Sequence, residues 1–267
     1  MFGFYENMQI RPVTPQYNNK YPIKPEVSFG LNCQKLQGLT YEKYKDLSFW
    51  DKLKFKMLSP MGIKRDARAS YYAARSAQSY LDSHYGRDNY TVMIVGRSMA
   101  TIGETMRLLG RDVRFLPMSD LSNGMPKEIE NVGVYKKYLD SISLTKEVIE
   151  NNPERHFLLV DYVSSGESLK NAHRFLSRPD LLGHPDRLRP IPSQMLLGYN
   201  SFMASCLELL FLTSNLKKYS PIRSLKLTEL DKTFERLQPN PNRKDKRNLF
   251  LFNIMRKIEH YRKKTGK

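Results

Sequence analysis

A run rich in β-favouring residues, Tyr90-Thr91-Val92-Met93-Ile94-Val95, leads into Gly96-Arg97-Ser98, and helical periodicity then takes over from Met99 to Leu109 and stops at Gly110. Asp112-Val113-Arg114-Phe115-Leu116-Pro117 reads as a second strand. Two strands joined through a helix cannot form a hairpin. The crossover aligns them in parallel. The pattern returns further on. His156-Phe157-Leu158-Leu159-Val160 is a buried-type strand, Asp161–Ser168 its following loop, and Glu167–Leu176 a helix. The expected fold class is therefore α/β, a parallel sheet flanked by helices.

Around this unit the chain divides into three parts. Residues 1–40 hold Pro12, Pro15, Pro22 and Pro25 among Asn, Gln and Tyr without a sustained period, which predicts an extended or disordered arm. Residues 41–200 make the α/β domain. Within them Tyr44, Leu47, Trp50, Leu53 and Phe55 have near-helical spacing, which predicts that the sole tryptophan packs on the domain. Ala67, Tyr71, Ala74, Ala77, Tyr80 and Leu81 predict a helix over 64–85 that stops at Gly86, and a further helix is expected at about 135–151. Residues 119–135, rich in Ser, Asp, Asn and Gly, form a loop long enough to act as a lid. Residues 201–267 form a mainly helical C-terminal accessory region, with Leu207, Leu210, Phe211, Leu227, Leu230 and Phe234 as core candidates.

The chain carries a formal charge of +17, which favours phosphate-bearing ligands, nucleic acid or anionic surfaces. Nearly half of it lies in 243–267, where ten Lys/Arg face Asp245 and Glu259. There Leu249, Phe250, Phe252, Ile254, Met255 and Ile258 alternate with Arg256, Lys257, Arg262 and Lys263, a basic amphipathic helix that can dock on its own domain, on lipid or on nucleic acid. Only Cys33 and Cys206 are present, so a disulfide framework and a cysteine-based zinc site are excluded. The N-terminus lacks a basic stretch followed by an apolar run, and the most apolar segment, Met195–Leu212, is interrupted by polar residues; the expectation is a cytoplasmic protein without a transmembrane segment. His84, His156, His173, His184 and His260 show no metal-ligand spacing, and no Gly-x-Ser-x-Gly elbow accompanies the serines.

The candidate site lies where the strands end. Small residues in Ser164-Ser165-Gly166-Glu167-Ser168 let the backbone approach an anion, hydroxyls and amides donate to it, and a helix N-terminus adds partial positive charge. Ligands of parallel sheets sit at the carboxyl ends of strands, where both Gly96-Arg97-Ser98 and Asp161–Ser168 fall. Serines and aspartates also cap helices and close turns, and that reading of Ser164, Ser165, Ser168 and Asp161 stays open.

The run Phe157-Leu158-Leu159-Val160-Asp161-Tyr162-Val163-Ser164-Ser165-Gly166-Glu167-Ser168-Leu169 resembles the signature of the type I phosphoribosyltransferases: apolar residues, one or two acids, then a small-residue phosphate loop. The resemblance covers about a third of the chain, Tyr90–Leu176. It implies that Asp161 meets the ribose hydroxyls of 5-phosphoribosyl 1-diphosphate (PRPP). Ser164, Ser165, Gly166, Glu167 and Ser168 would hold its 5-phosphate, and Gly96, Arg97 and Ser98 its diphosphate. Asp161 and Arg97 are then the candidate catalytic residues, with Mg2+ reaching Asp161 only indirectly through the ribose. The chain departs from the family in having a single acid, flanked by Val160 and Tyr162, and in placing Ser164 where some purine-salvage members carry an acid. Three functional classes follow: phosphoribosyl transfer to or from a nitrogenous base, non-catalytic binding of a nucleotide or other phosphorylated ligand, and nucleic-acid binding through the basic tail.

Overall fold

The computed structural model describes residues 33–119, 121, 132–162, 166–197, 212–222, 225–226 and 244–266. Helices α1 (Tyr41–Asp46), α2 (Phe49–Leu58) and α3 (Met61–Tyr85) lead into β1 (Tyr90–Val95), α4 (Ala100–Leu108), β2 (Val113–Leu116) and β3 (Met118–Ser119). Then come α5 (Val132–Ser141), α6 (Lys146–Glu150), β4 (His156–Asp161), α7 (Glu167–Leu176), β5 (Leu188–Pro192), α8 (Ser193–Leu196), β6 (Leu225–Lys226) and α9 (Lys244–Thr265). Four strands form an entirely parallel sheet in the order β2-β1-β4-β5, and β3 pairs with β6 in a separate parallel ribbon.

All six residues of β1 are buried, as a central parallel strand covered on both faces requires. Alternation sends Met93, Val95, Phe157 and Leu159 into one core with Tyr135, Leu139, Ile149, Leu169 and Phe175. Ile94 points to the opposite face and meets α4. A Cβ built on Gly103 would stand 2.6 Å from Ile94 Cγ1 and 3.3 Å from Phe115 Cε1, so the helix sits at a height that only glycine permits.

The amino ends of the strands are fastened by one side chain. Arg155 Nε donates to Thr91 Oγ1 at 2.7 Å, and Nη2 donates to Asp112 Oδ2 at 2.9 Å and to the Tyr90 carbonyl at 3.1 Å. Arg155 immediately precedes β4, Thr91 belongs to β1 and Asp112 immediately precedes β2. A single guanidinium therefore ties the starts of three strands.

Helix α9 closes the molecule against α3. Its apolar face, from Leu249 through Ile258, is buried, with Phe252 against Tyr44 and Phe55 at ring-centroid distances of 5.7 and 5.6 Å, and Phe250 stacked on Tyr219 at 4.3 Å. Asn253 Nδ2 donates to Ser59 Oγ at 2.9 Å, and Tyr44 OH donates to Glu259 Oε2 at 2.8 Å. Of the three docking targets open to a basic amphipathic helix, this one uses its apolar face on its own domain.

Several expectations need correction. Trp50 does not pack on the domain: α1 and α2 break at Leu47-Ser48, where Ser48 caps α2, and Phe55 enters the core while Trp50 faces outward. The helix expected over 135–151 is two helices. Ser143 adopts φ 53°, and the Leu144 N–H donates back to the Leu139 carbonyl at 2.9 Å, a Schellman closure, before Thr145 caps α6. The sequence reading missed β5. Residues 33–40, assigned to the arm, include buried Leu36 and Leu39; residues 1–32 lie outside the described residues, as do Leu207, Leu210, Phe211, Leu227, Leu230, Phe234 and most of the long loop.

Gly103→Val is expected to lower stability by about 1–3 kcal/mol through overpacking against Ile94. Gly133→Ala in α5, with nothing within 4 Å of the added carbon, is expected to leave stability unchanged or slightly raised. Chemical denaturation of the two variants checks this, and equal effects would refute the close-approach account.

Candidate functional site

The register of the central pair builds the site. Ile94 stands opposite Val160, so β1 and β4 end side by side and release Gly96 and Tyr162 on the same edge. Strand order reverses here: from β1 the chain moves outward to β2, then crosses back to β4 and β5 on the other side. This is a topological switch point, where neighbouring loops diverge and leave a crevice.

On the β1 side, the Gly96 N–H donates to the Leu116 carbonyl at 2.8 Å, and the Ala100 N–H to the Arg97 carbonyl at 3.3 Å. That tight turn leaves the Arg97 side chain exposed and Ser98 half-buried. On the β4 side, Asp161 closes the strand. Gly166 has φ 85° and ψ −12°, a left-handed conformation that side chains disfavour, and its carbonyl accepts the Lys170 N–H at 3.0 Å to begin α7. Gly166 is thus required by the backbone itself, whether or not an anion approaches the loop. Glu167 is exposed beside Lys170 at 2.9 Å, whose ammonium holds its carboxyl below the usual range. Ser168 is half-buried on the first turn of α7. Val163, Ser164 and Ser165 lie outside the described residues.

The helices that start at this edge lack a side-chain cap, as α3 does after Pro60. Thr40, Ser48 and Thr145 cap α1, α2 and α6 with side-chain oxygens, whereas the N-cap residues of α4 and α7, Met99 and Gly166, supply none.

Asp161 is the most perturbed acid here. Protein surrounds its carboxyl while a solvent opening remains, and desolvation pushes its pKa from the ordinary 3.8 to about 7. The Tyr162 N–H, donating to Oδ1 at 2.7 Å, and the field of Lys217 oppose that rise without cancelling it. A carboxyl poised near neutrality at the end of a central strand can accept from a hydroxyl, meet a cation or exchange a proton.

Three more residues reach this edge from positions that carried no sequence signal. Pro192 pairs with Asp161, so Ser193 and Gln194, both buried, follow directly beside it. Lys217, 56 positions beyond Asp161, is carried by a segment anchored where Thr101 Oγ1 donates to the Leu216 carbonyl at 2.9 Å. Long-range placement of this kind leaves no local motif. Among the described residues no group of three or more His, Cys, Asp or Glu could hold a metal ion, and no helix is long and apolar enough to cross a membrane.

Comparison with protein-family models, with curated proteins and with solved structures finds no match for this chain.

The Asp161 shift sets a sign for the dependence of stability on pH. The folded state holds this proton more tightly than the unfolded chain, so its contribution is full below the ordinary carboxylate pKa and is lost as pH rises through about 7. Asp161→Asn cannot ionise. Relative to wild type it is expected to gain on the order of 2–4 kcal/mol between about pH 4 and pH 8. Urea unfolding of both proteins across that range measures the difference, and parallel pH profiles would contradict the shift.

Proposed function

We propose that this chain is a phosphoribosyltransferase-like protein that binds PRPP or a nucleoside monophosphate in the crevice between the loops after β1 and β4. The observation carrying this reading is the pairing of Ile94 with Val160, which brings Gly96-Arg97-Ser98 and the desolvated Asp161 to one edge at the switch point. In this reading Arg97, exposed on its tight turn, meets the diphosphate. A fixed cation there stabilises charge developing on a leaving group. Gly166, Glu167 and Ser168 offer backbone and hydroxyl donors at the start of α7 to the 5-phosphate, together with Ser164 and Ser165. Asp161 accepts from the ribose hydroxyls.

A metal ion fits this donor set only as a companion of the ligand. Asp161 is one carboxylate, and a resident magnesium site needs more oxygen ligands than one. Mg2+ would therefore be held chiefly by phosphate and ribose oxygens, where it supplies charge neutralisation. Asp161 must lose its proton to join them, so binding of the magnesium-bearing ligand should strengthen as pH rises through about 7.

A second reading, a non-catalytic binding or regulatory protein, is favoured by the same single acid: a second carboxylate for proton transfer is missing beside Asp161, where Val160 and Tyr162 stand. A nucleic-acid reading has only charge behind it: the apolar face of α9 is buried in its own domain, and Arg262, Lys263 and Lys264 stand exposed at its end.

A thermal-shift series with PRPP, a nucleoside monophosphate and diphosphate, with and without Mg2+, tests the site. A ligand at about a hundredfold excess over Kd adds about 2.7 kcal/mol, a rise of several degrees. Arg97→Gln is expected to abolish the response to diphosphate, and Asp161→Asn the response to ribose-bearing ligands. Arg97 is the cleaner probe of the phosphate end, because replacing Gly166 would strain the backbone by itself. Diphosphate release over a panel of bases separates the two readings: release supports transfer, and stabilisation without release supports binding alone. A wild type indifferent to every ligand would overturn both.

A further inference from the structure

The α2–α3 corner exposes an uncommon set of side chains. Phe49, Trp50, Met57 and Met61 keep 71–79% of their surfaces open, Tyr72 keeps 53% and Leu58 41%. At about 100° per residue, Phe49, Trp50, Met57 and Leu58 fall on one arc of α2, opposite the side that sends Phe55 into the core. Beyond Pro60 the outer face of α3 continues with Met61, Arg65, Arg68 and Tyr72, spaced at four, three and four residues. Single exposed apolar residues are ordinary, but a contiguous set marks an interaction surface.

Charge identifies the partner. Lys54 lies within the apolar arc between Trp50 and Leu58, with Lys56 and Lys64 beside it, and these three lysines form no ion pair among the described residues. Two acids nearby are already matched: Asp51 takes Lys35 at 2.9 Å, and buried Asp66 takes Lys218 at 2.8 Å and the Tyr219 hydroxyl at 3.0 Å. The patch is therefore apolar and cationic together. Centres of protein interfaces are depleted in lysine, because an ammonium enclosed there loses its hydration. At a bilayer surface the same residues fit without that loss. Methionine, leucine and aromatic rings enter the acyl boundary, while lysines extend their stems and leave their ammonium groups among anionic headgroups. Met57, Leu58 and Met61 have nothing comparable to gain from a nucleic acid.

We infer that the α2–α3 corner, centred on Trp50, Met57 and Met61 with Lys54, Lys56 and Lys64, docks this protein peripherally on an anionic lipid bilayer. Trp50, the only tryptophan in the chain, reports on the event directly. The full chain is titrated with vesicles of phosphatidylcholine alone and of phosphatidylcholine mixed with phosphatidylserine. Anionic vesicles are expected to shift Trp50 emission to the blue, and lipids brominated on the acyl chain to quench it; zwitterionic vesicles should do neither. The double variant Lys54→Gln/Lys56→Gln, altered only at exposed positions, should weaken vesicle partitioning by about thirtyfold at about 1 kcal/mol per cation. Met57→Ser/Met61→Ser should abolish the quenching while preserving the far-ultraviolet circular dichroism spectrum. Equal partitioning of the lysine variant and wild type would overturn the proposal. So would blue emission in the free chain, the sign that residues 1–32, a second copy or another protein surface covers the corner, and so would absence of binding at low salt.

Discussion

The Arg155 guanidinium governs the alignment on which the rest of the sheet depends. Parallel strands have no hairpin to set their register; each arrives through a crossover, and a slip of one residue would exchange its faces. By donating to Thr91, the Tyr90 carbonyl and Asp112 while preceding β4 itself, Arg155 brings three strands to a common start. Strands that start together and have similar lengths also end together. The side-by-side release of Gly96 and Tyr162 at the opposite edge is thus prepared at the far end of the sheet, about six residues away by strand length.

The two ends of the sheet treat charge in opposite ways. At the amino end two acids are matched by cations: Asp112 has Arg114 and Arg155, and Asp82 has Arg111 together with the Tyr90 hydroxyl. Satisfied pairs of this kind hold geometry and offer little to a ligand. At the carboxyl end, among the described residues, Asp161 accepts from the Tyr162 N–H and feels the field of Lys217, and it remains near neutrality. Burying a carboxyl without a full partner costs stability. The chain bears that cost at the switch point, in the place where the proposed ligand would sit.

The parallel sheet was legible because β1 and β4 are uninterrupted apolar runs of strand length, each followed by small residues and a helical period. The boundaries of α7 were equally clear, since Gly166 separates the loop from a strongly amphipathic segment. Other features were hidden for physical reasons. The break between α5 and α6 uses Ser143 in a left-handed conformation, where the usual glycine signal is absent. Trp50 and Phe55 share a helix, but only the direction of Phe252 on α9, nearly two hundred residues later, decides which of them is covered. Ser193, Gln194 and Lys217 reach the candidate site through β5 and the Thr101 contact, and neither can be read from the residues alone.

β5 escaped notice because Pro190 and Pro192 interrupt its apolar character. The same prolines say something about how the sheet stops. Successive residues of a strand direct their N–H groups to alternate sides, so two prolines two positions apart remove donors from one side only, the side facing away from β4. A neighbouring chain seeking to extend the ladder at that margin would find carbonyls without their matching donors. The strand is competent to join its own sheet and unfit to recruit a stranger, and its two prolines, with the exposed Arg189 between Leu188 and Pro190, guard this margin of the described sheet against edge-to-edge aggregation.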